Sequence, residues 1–78
     1  MYYCHLPGAS IPVADIVALL DADAVTAEKR TVQTLRAAEQ AGTLRDCTGG
    51  SLPKSLIVTP DGYYFAAPNT TSLRRKMQ

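Results

Sequence analysis

The segment from Lys54 to Ala67 constrains the fold more than any other, because it spells a β-hairpin in chain order. Lys54-Ser-Leu-Ile-Val-Thr59, inside a strand candidate that starts at Leu52, carries the aliphatic and β-branched side chains that suit a pleated sheet. Pro60 pre-sets the first turn position and Gly62 accepts positive φ, so Thr59-Pro60-Asp61-Gly62 predicts a tight reversal. Tyr63-Tyr-Phe-Ala-Ala67 returns as the partner strand, with Tyr63 and Phe65 on one face and Tyr64 and Ala66 on the other.

The remaining chain can be arranged around this hairpin. Tyr2 to Leu6 is a short aromatic strand, Pro7-Gly8 a turn, and Ser10 to Val13 a second extended stretch that Pro12 keeps near an edge. Ile16 to Leu20, five consecutive apolar residues, predicts a strand covered on both faces. Ala22 to Val25 reads as a connector. Thr26 is the expected N-cap of a helix reaching Ala41, with Glu28 in its first turn and Gly42 as a left-handed stop. Val32, Leu35 and Ala38, led by Val25 and trailed by Ala41, form a narrow apolar stripe opposite Lys29, Arg30, Gln33, Arg36 and Gln40. Leu44 to Cys47 can form a short strand and Thr48-Gly-Gly-Ser51 a mobile loop. Asn69, Thr70 or Thr71 caps a last short helix whose Leu73 and Met77 share the inward face. The expected order is β-β-β-α-β-β-β-α.

A chain of 78 residues makes one domain, residues 1–78, with a thin core that gains from a disulfide, a metal or a neighbouring subunit. No charged, apolar and small-residue leader marks secretion, so Cys4 and Cys47 are expected to be reduced in the cytoplasm. Zinc would need four ligands at tight spacing, and Cys4, His5 and Cys47 offer no Cys-x-x-Cys pair. Elimination leaves self-association. No apolar run approaches the roughly 20 residues that cross a bilayer, and a net charge of +1 neither demands nor excludes nucleic acid. Local clusters must decide.

Gly49-Gly-Ser-Leu-Pro-Lys-Ser55 has the look of a phosphate loop but lacks its physics. Pro53 has no N–H to offer a phosphate, and the following Leu56-Ile-Val58 reads as strand where a helix N-terminus is required. Cys4 and His5, adjacent on a strand, point to opposite faces and cannot act on one another locally. Asp15, Asp21 and Asp23 lie near strand ends, where caps and turns account for them. No catalytic residue, cofactor or small-molecule substrate is therefore expected. The cluster with functional content is Arg74-Arg75-Lys76, which on a helix fans over roughly 200 degrees as a collar. It either complements the helix dipole or contacts phosphates.

Pro53-Lys-Ser-Leu-Ile-Val-Thr59, the Gly-containing turn, the paired aromatics and Ser72-Leu-Arg-Arg-Lys76, with Asp15-Ile-Val-Ala-Leu-Leu-Asp21, resemble the RemA/RemB-type extracellular-matrix regulators of bacteria, nearest their RemB-like branch. The resemblance implies a LytTR-like α+β fold: a small antiparallel sheet, one packed central helix and a short C-terminal helix. It also implies a homo-oligomer, a closed ring in RemA-like members, and a DNA-binding transcriptional or nucleoid-associated role at biofilm-matrix genes. RemA-like members contact DNA through an arginine-rich loop before the strand matching Leu56 to Thr59 and an arginine before the strand matching Ile16 to Leu20. Here Ser51, Leu52 and Lys54 stand in the first place and Asp15 in the second. The expected contacts to double-stranded DNA are thus Lys54, Arg74, Arg75 and Lys76. A non-DNA-binding oligomeric adaptor or assembly subunit is the alternative.

Overall fold

The computed structural model describes residues 2–77. It is a small α+β arrangement whose middle layer is a four-stranded sheet in the order β3-β5-β6-β4. β5 (Ser55–Thr59) and β6 (Gly62–Ala66) are the antiparallel hairpin, with Thr59 opposite Gly62 and Ser55 opposite Ala66. β3 (Ala18–Asp21) pairs antiparallel on the far side of β5.

Alternation along β5 dictates the layers. Leu56 and Ile57 are 1% and 0% exposed, and as neighbours on a strand they point to opposite faces, so both faces need cover. On the Ile57 face sits a two-stranded hairpin of β1 (Tyr3–Leu6) and β2 (Ala9–Pro12), together with α3 (Thr70–Lys76). Cys4, Leu6, Ile11, Cys47, Ile57, Ala66 and Leu73 form one buried cluster there, joined by Leu19, Tyr64 and Met77. The other face, carrying Leu56 and its partner Phe65, meets α2 (Lys29–Ala41), whose buried residues are Leu35 and Ala38. Gly42, at φ 79, ends α2 in the left-handed conformation, as its position predicts.

Four expectations need correction. Residues 22–25 are not a connector: Ala22–Thr26 is a short helix, α1, because the Asp21 carboxylate accepts hydrogen bonds from the N–H groups of Asp23 at 2.9 Å and Ala24 at 3.3 Å. Thr26 is not the cap of α2. Its hydroxyl donates backward to the Ala22 carbonyl at 2.8 Å, and Glu28 takes the cap position without a side-chain bond. The stretch Ile16 to Leu20 is not covered on both faces, since residues 13–15 form a 3-10 turn and β3 is an outer strand with Val17 and Leu20 exposed. Finally, the sheet is mixed and not wholly antiparallel: β4 (Leu44–Asp46) runs parallel to β6.

That parallel contact explains Gly62 better than the turn does. Thr43, just before β4, accepts the Tyr63 N–H at 2.8 Å, and a Cβ on Gly62 would drive into the Thr43 carbonyl. Thr59 braces the same corner through its hydroxyl, which donates to the Gly62 carbonyl at 3.1 Å. Gly62→Ala should therefore lower the unfolding free energy by roughly 1–3 kcal/mol, the usual range for overpacking at a fixed backbone, in a urea titration. An unchanged midpoint would show that β4 does not press on the turn.

Candidate nucleic-acid interface

The C-terminal cations owe their placement to three local interactions. Asn69 caps α3, its side-chain oxygen accepting the Ser72 N–H at 2.8 Å, as the sequence suggests for this position. Ser55, buried at the start of β5, donates its hydroxyl to the Pro68 carbonyl at 2.6 Å and ties the entry of α3 to the sheet. Leu73 is 0% exposed and Met77 packs on the same cluster, the inward pair expected at a spacing of four. With Leu73 directed inward, Arg74, Arg75 and Lys76 stay exposed in the last turn. Among the described residues, no carboxylate forms an ion pair with any of them.

The three cations are not equivalent. Arg74 lines a groove against β3 with Val13, Ile16, Val17, Leu19 and Met77, an environment that sequence reasoning missed because it depends on α3 lying beside β3. Lys76 lies near Cys4. Burial pushes the Cys4 thiol above its usual range, and the Lys76 ammonium pulls it partly back. Arg75 is exposed.

Lys54 is placed separately. Its N–H donates to the Ala66 carbonyl at 2.9 Å and its carbonyl accepts the Ala22 N–H at 3.0 Å, which fixes its backbone at the Ser55 end of β5. That end of the sheet holds the entry of α3 through Ser55 and Pro68, whereas the collar occupies the exit. By strand alternation Lys54 shares the face of Leu56, whereas Ser55 and Ile57 face α3, so the fold does not bring Lys54 together with the collar. Asp15, where RemA-like members carry an arginine, lines a different groove with Asp61, Thr59 and Tyr64. Two carboxylates there repel a phosphate backbone.

Other candidates from the sequence separate in space. His5 is exposed, with Nδ1 3.0 Å from the Ser10 hydroxyl, while its neighbour Cys4 is buried. Cys47 is buried in the same cluster as Cys4, and both thiols are free. Residues 53–58 continue from loop into strand, so Pro53-Lys54-Ser55 is not followed by the helix that a phosphate loop requires. Among the described residues no group of three or more His, Cys, Asp or Glu side chains is set to hold a metal, and no helix is long and apolar enough to cross a membrane.

Burial also raises the Cys47 thiol, with Arg45 lowering it and Asp46 adding to the rise. A thiol whose folded pKa exceeds its unfolded one binds the proton more tightly when folded, so its stabilising contribution is intact below the unfolded value and lost as pH rises above it. Unfolding free energy should fall on going from neutral pH to above about pH 9, and Cys4→Ala should flatten that slope in a pH series of urea titrations. An identical slope in wild type and variant would contradict the burial of Cys4.

No family model matches this chain, and no curated protein matches it.

Proposed function

We propose that the chain is a small cytoplasmic DNA-binding regulator that acts as a homo-oligomer and contacts the duplex backbone through Arg74, Arg75, Lys76 and Lys54. The single observation that carries this reading is the collar: three consecutive cations, exposed and unpaired among the described residues, on a helix anchored by Leu73 and Asn69. Phosphate contacts need cations held in place but free of internal partners, because affinity grows with each counterion released from the duplex. A collar without base-reading side chains at fixed register suits backbone and shape recognition more than base-edge recognition. The LytTR-like fold, the RemB-like assignment and the role at biofilm-matrix genes rest on the resemblance of residues 53–77 and 15–21 alone.

A second reading is favoured by a specific feature. The groove bearing Asp15 and Asp61 puts negative charge where RemA-like members place a DNA-contacting arginine, which suits an adaptor that binds protein and not nucleic acid.

Salt-dependent retardation of a duplex separates the two readings. Wild type should bind at low salt, with log affinity falling linearly in log salt, and an Arg74/Arg75/Lys76 triple alanine variant should lose about 0.9 of slope for each phosphate contact removed. Absence of retardation by wild type at low salt would leave the adaptor as the function.

A further inference from the structure

The cations of this chain divide between two sides of the sheet. Of its eight lysine and arginine residues, three form the collar of α3, on the Ile57 side. Four stand on the Leu56 side: Lys29, Arg30 and Arg36 on α2, and Lys54 by strand alternation.

The outer face of α2 is ordered as well as charged. At about 100 degrees per residue, Lys29, Gln33, Arg36 and Gln40 fall within an arc of about 60 degrees, on the side away from the buried Leu35 and Ala38. All four are exposed, and Lys29, Gln33 and Arg36 line one groove together with Thr26 and Val32. A helix face that serves solubility alone gains from acidic partners three or four residues from its cations. Here Glu28 and Glu39 lie outside the arc, and among the described residues neither Lys29 nor Arg36 forms an ion pair. Lys29 and Arg30 also occupy the first turn, where the helix dipole disfavours cations and no acidic residue offsets them. The stripe carries no apolar side chain that a protein partner would bury. Cations alternating with glutamines instead suit a duplex, whose major groove admits a helix and offers phosphates to Lys and Arg and base edges to Arg and Gln.

We propose that this face of α2 is a second duplex contact, and that one copy holds two DNA segments, one on α2 and one on the collar of α3. The sheet and its buried layers stand between the two helices, so a duplex seated on one face does not reach the other. Lys54 then serves the segment on α2. The inference deepens the DNA-binding reading above and rests on it.

Two measurements at low salt test it: retardation of a single duplex, and capture of a free fluorescent duplex by a tethered one at protein concentrations that saturate the tethered duplex. Wild type should do both. The Arg74/Arg75/Lys76 triple alanine variant should keep a weaker retardation, and adding Lys29→Ala with Arg36→Ala should abolish it. In the wild-type background Lys29→Ala with Arg36→Ala, or Gln33→Glu, which sets a carboxylate in the stripe, should leave single-duplex retardation within about twofold, as for loss of one of two independent sites, and reduce capture by roughly tenfold or more. These positions are exposed and the new residues favour helix, so circular dichroism and the melting transition should be retained. A triple alanine variant without any retardation, or capture undiminished by the α2 substitutions, overturns the second contact and leaves the collar as the DNA site. Absence of retardation by wild type overturns both readings.

Discussion

The burial of Leu56 and Ile57, adjacent on β5 and facing opposite ways, is the constraint from which the rest of the arrangement follows. A strand buried on both sides forces a middle layer, and a short chain must find two covers for it. One is α2, held close by the small Ala38 beside Leu35. The other is composite: the β1–β2 hairpin contributes Cys4, Leu6 and Ile11, and α3 contributes Leu73. Because α3 completes a cover layer, its burial and its outward charge are two consequences of one placement. The helix is fixed as core on one side, and Arg74 to Lys76 are thereby fixed on the other.

This division explains why the cations are available. Each exposed surface pair contributes little to stability, so the fold gives up little where the collar has no ion pair among the described residues. Stability comes instead from apolar contact beneath it and from two polar ties, Asn69 to the Ser72 N–H and Ser55 to the Pro68 carbonyl. The latter is a hydrogen bond from a buried hydroxyl, a group that is costly to leave without a partner.

Much of this frame is legible in the sequence, where local chemistry decides the outcome. Pro60-Asp61-Gly62 makes its reversal, Gly42 stops α2, and Asn69 caps α3, because each acts through its own backbone or that of residues a few positions away. The misreadings occur where two local choices compete or where tertiary pairing decides. Thr26 and Asp21 are both good caps, and Asp21 prevails by starting α1 five residues earlier, after which the Thr26 hydroxyl is spent on the Ala22 carbonyl. The direction of β4 is invisible in three residues, since nothing in Leu44–Asp46 distinguishes a parallel from an antiparallel neighbour. Ile16 to Leu20 reads as a buried strand from hydrophobicity alone, yet it lies at an edge. Of the candidate site, the collar and its exposure are legible, whereas the groove beneath Arg74 is not, because it exists only once α3 lies beside β3.

The misread edge is also where the fold is least complete. A central strand such as β5 places its apolar residues between layers, but β3 has a neighbour on one side only, and Leu20 within it and Val17 just before it lie in solvent. Their exposure is a local conflict between pattern and environment, of the sort that functional surfaces retain. The opposite outer strand shows the contrast: β4 carries Arg45 and Asp46, both exposed, and charge on an edge discourages further pairing. One edge of the sheet thus carries charge at two of its three residues, and the other is apolar between two carboxylates, Asp15 and Asp21. The asymmetry follows from what each edge adjoins: β4 continues into the Asp46–Thr48 turn, whereas residues 16–20 run from the 3-10 turn to the cap of α1.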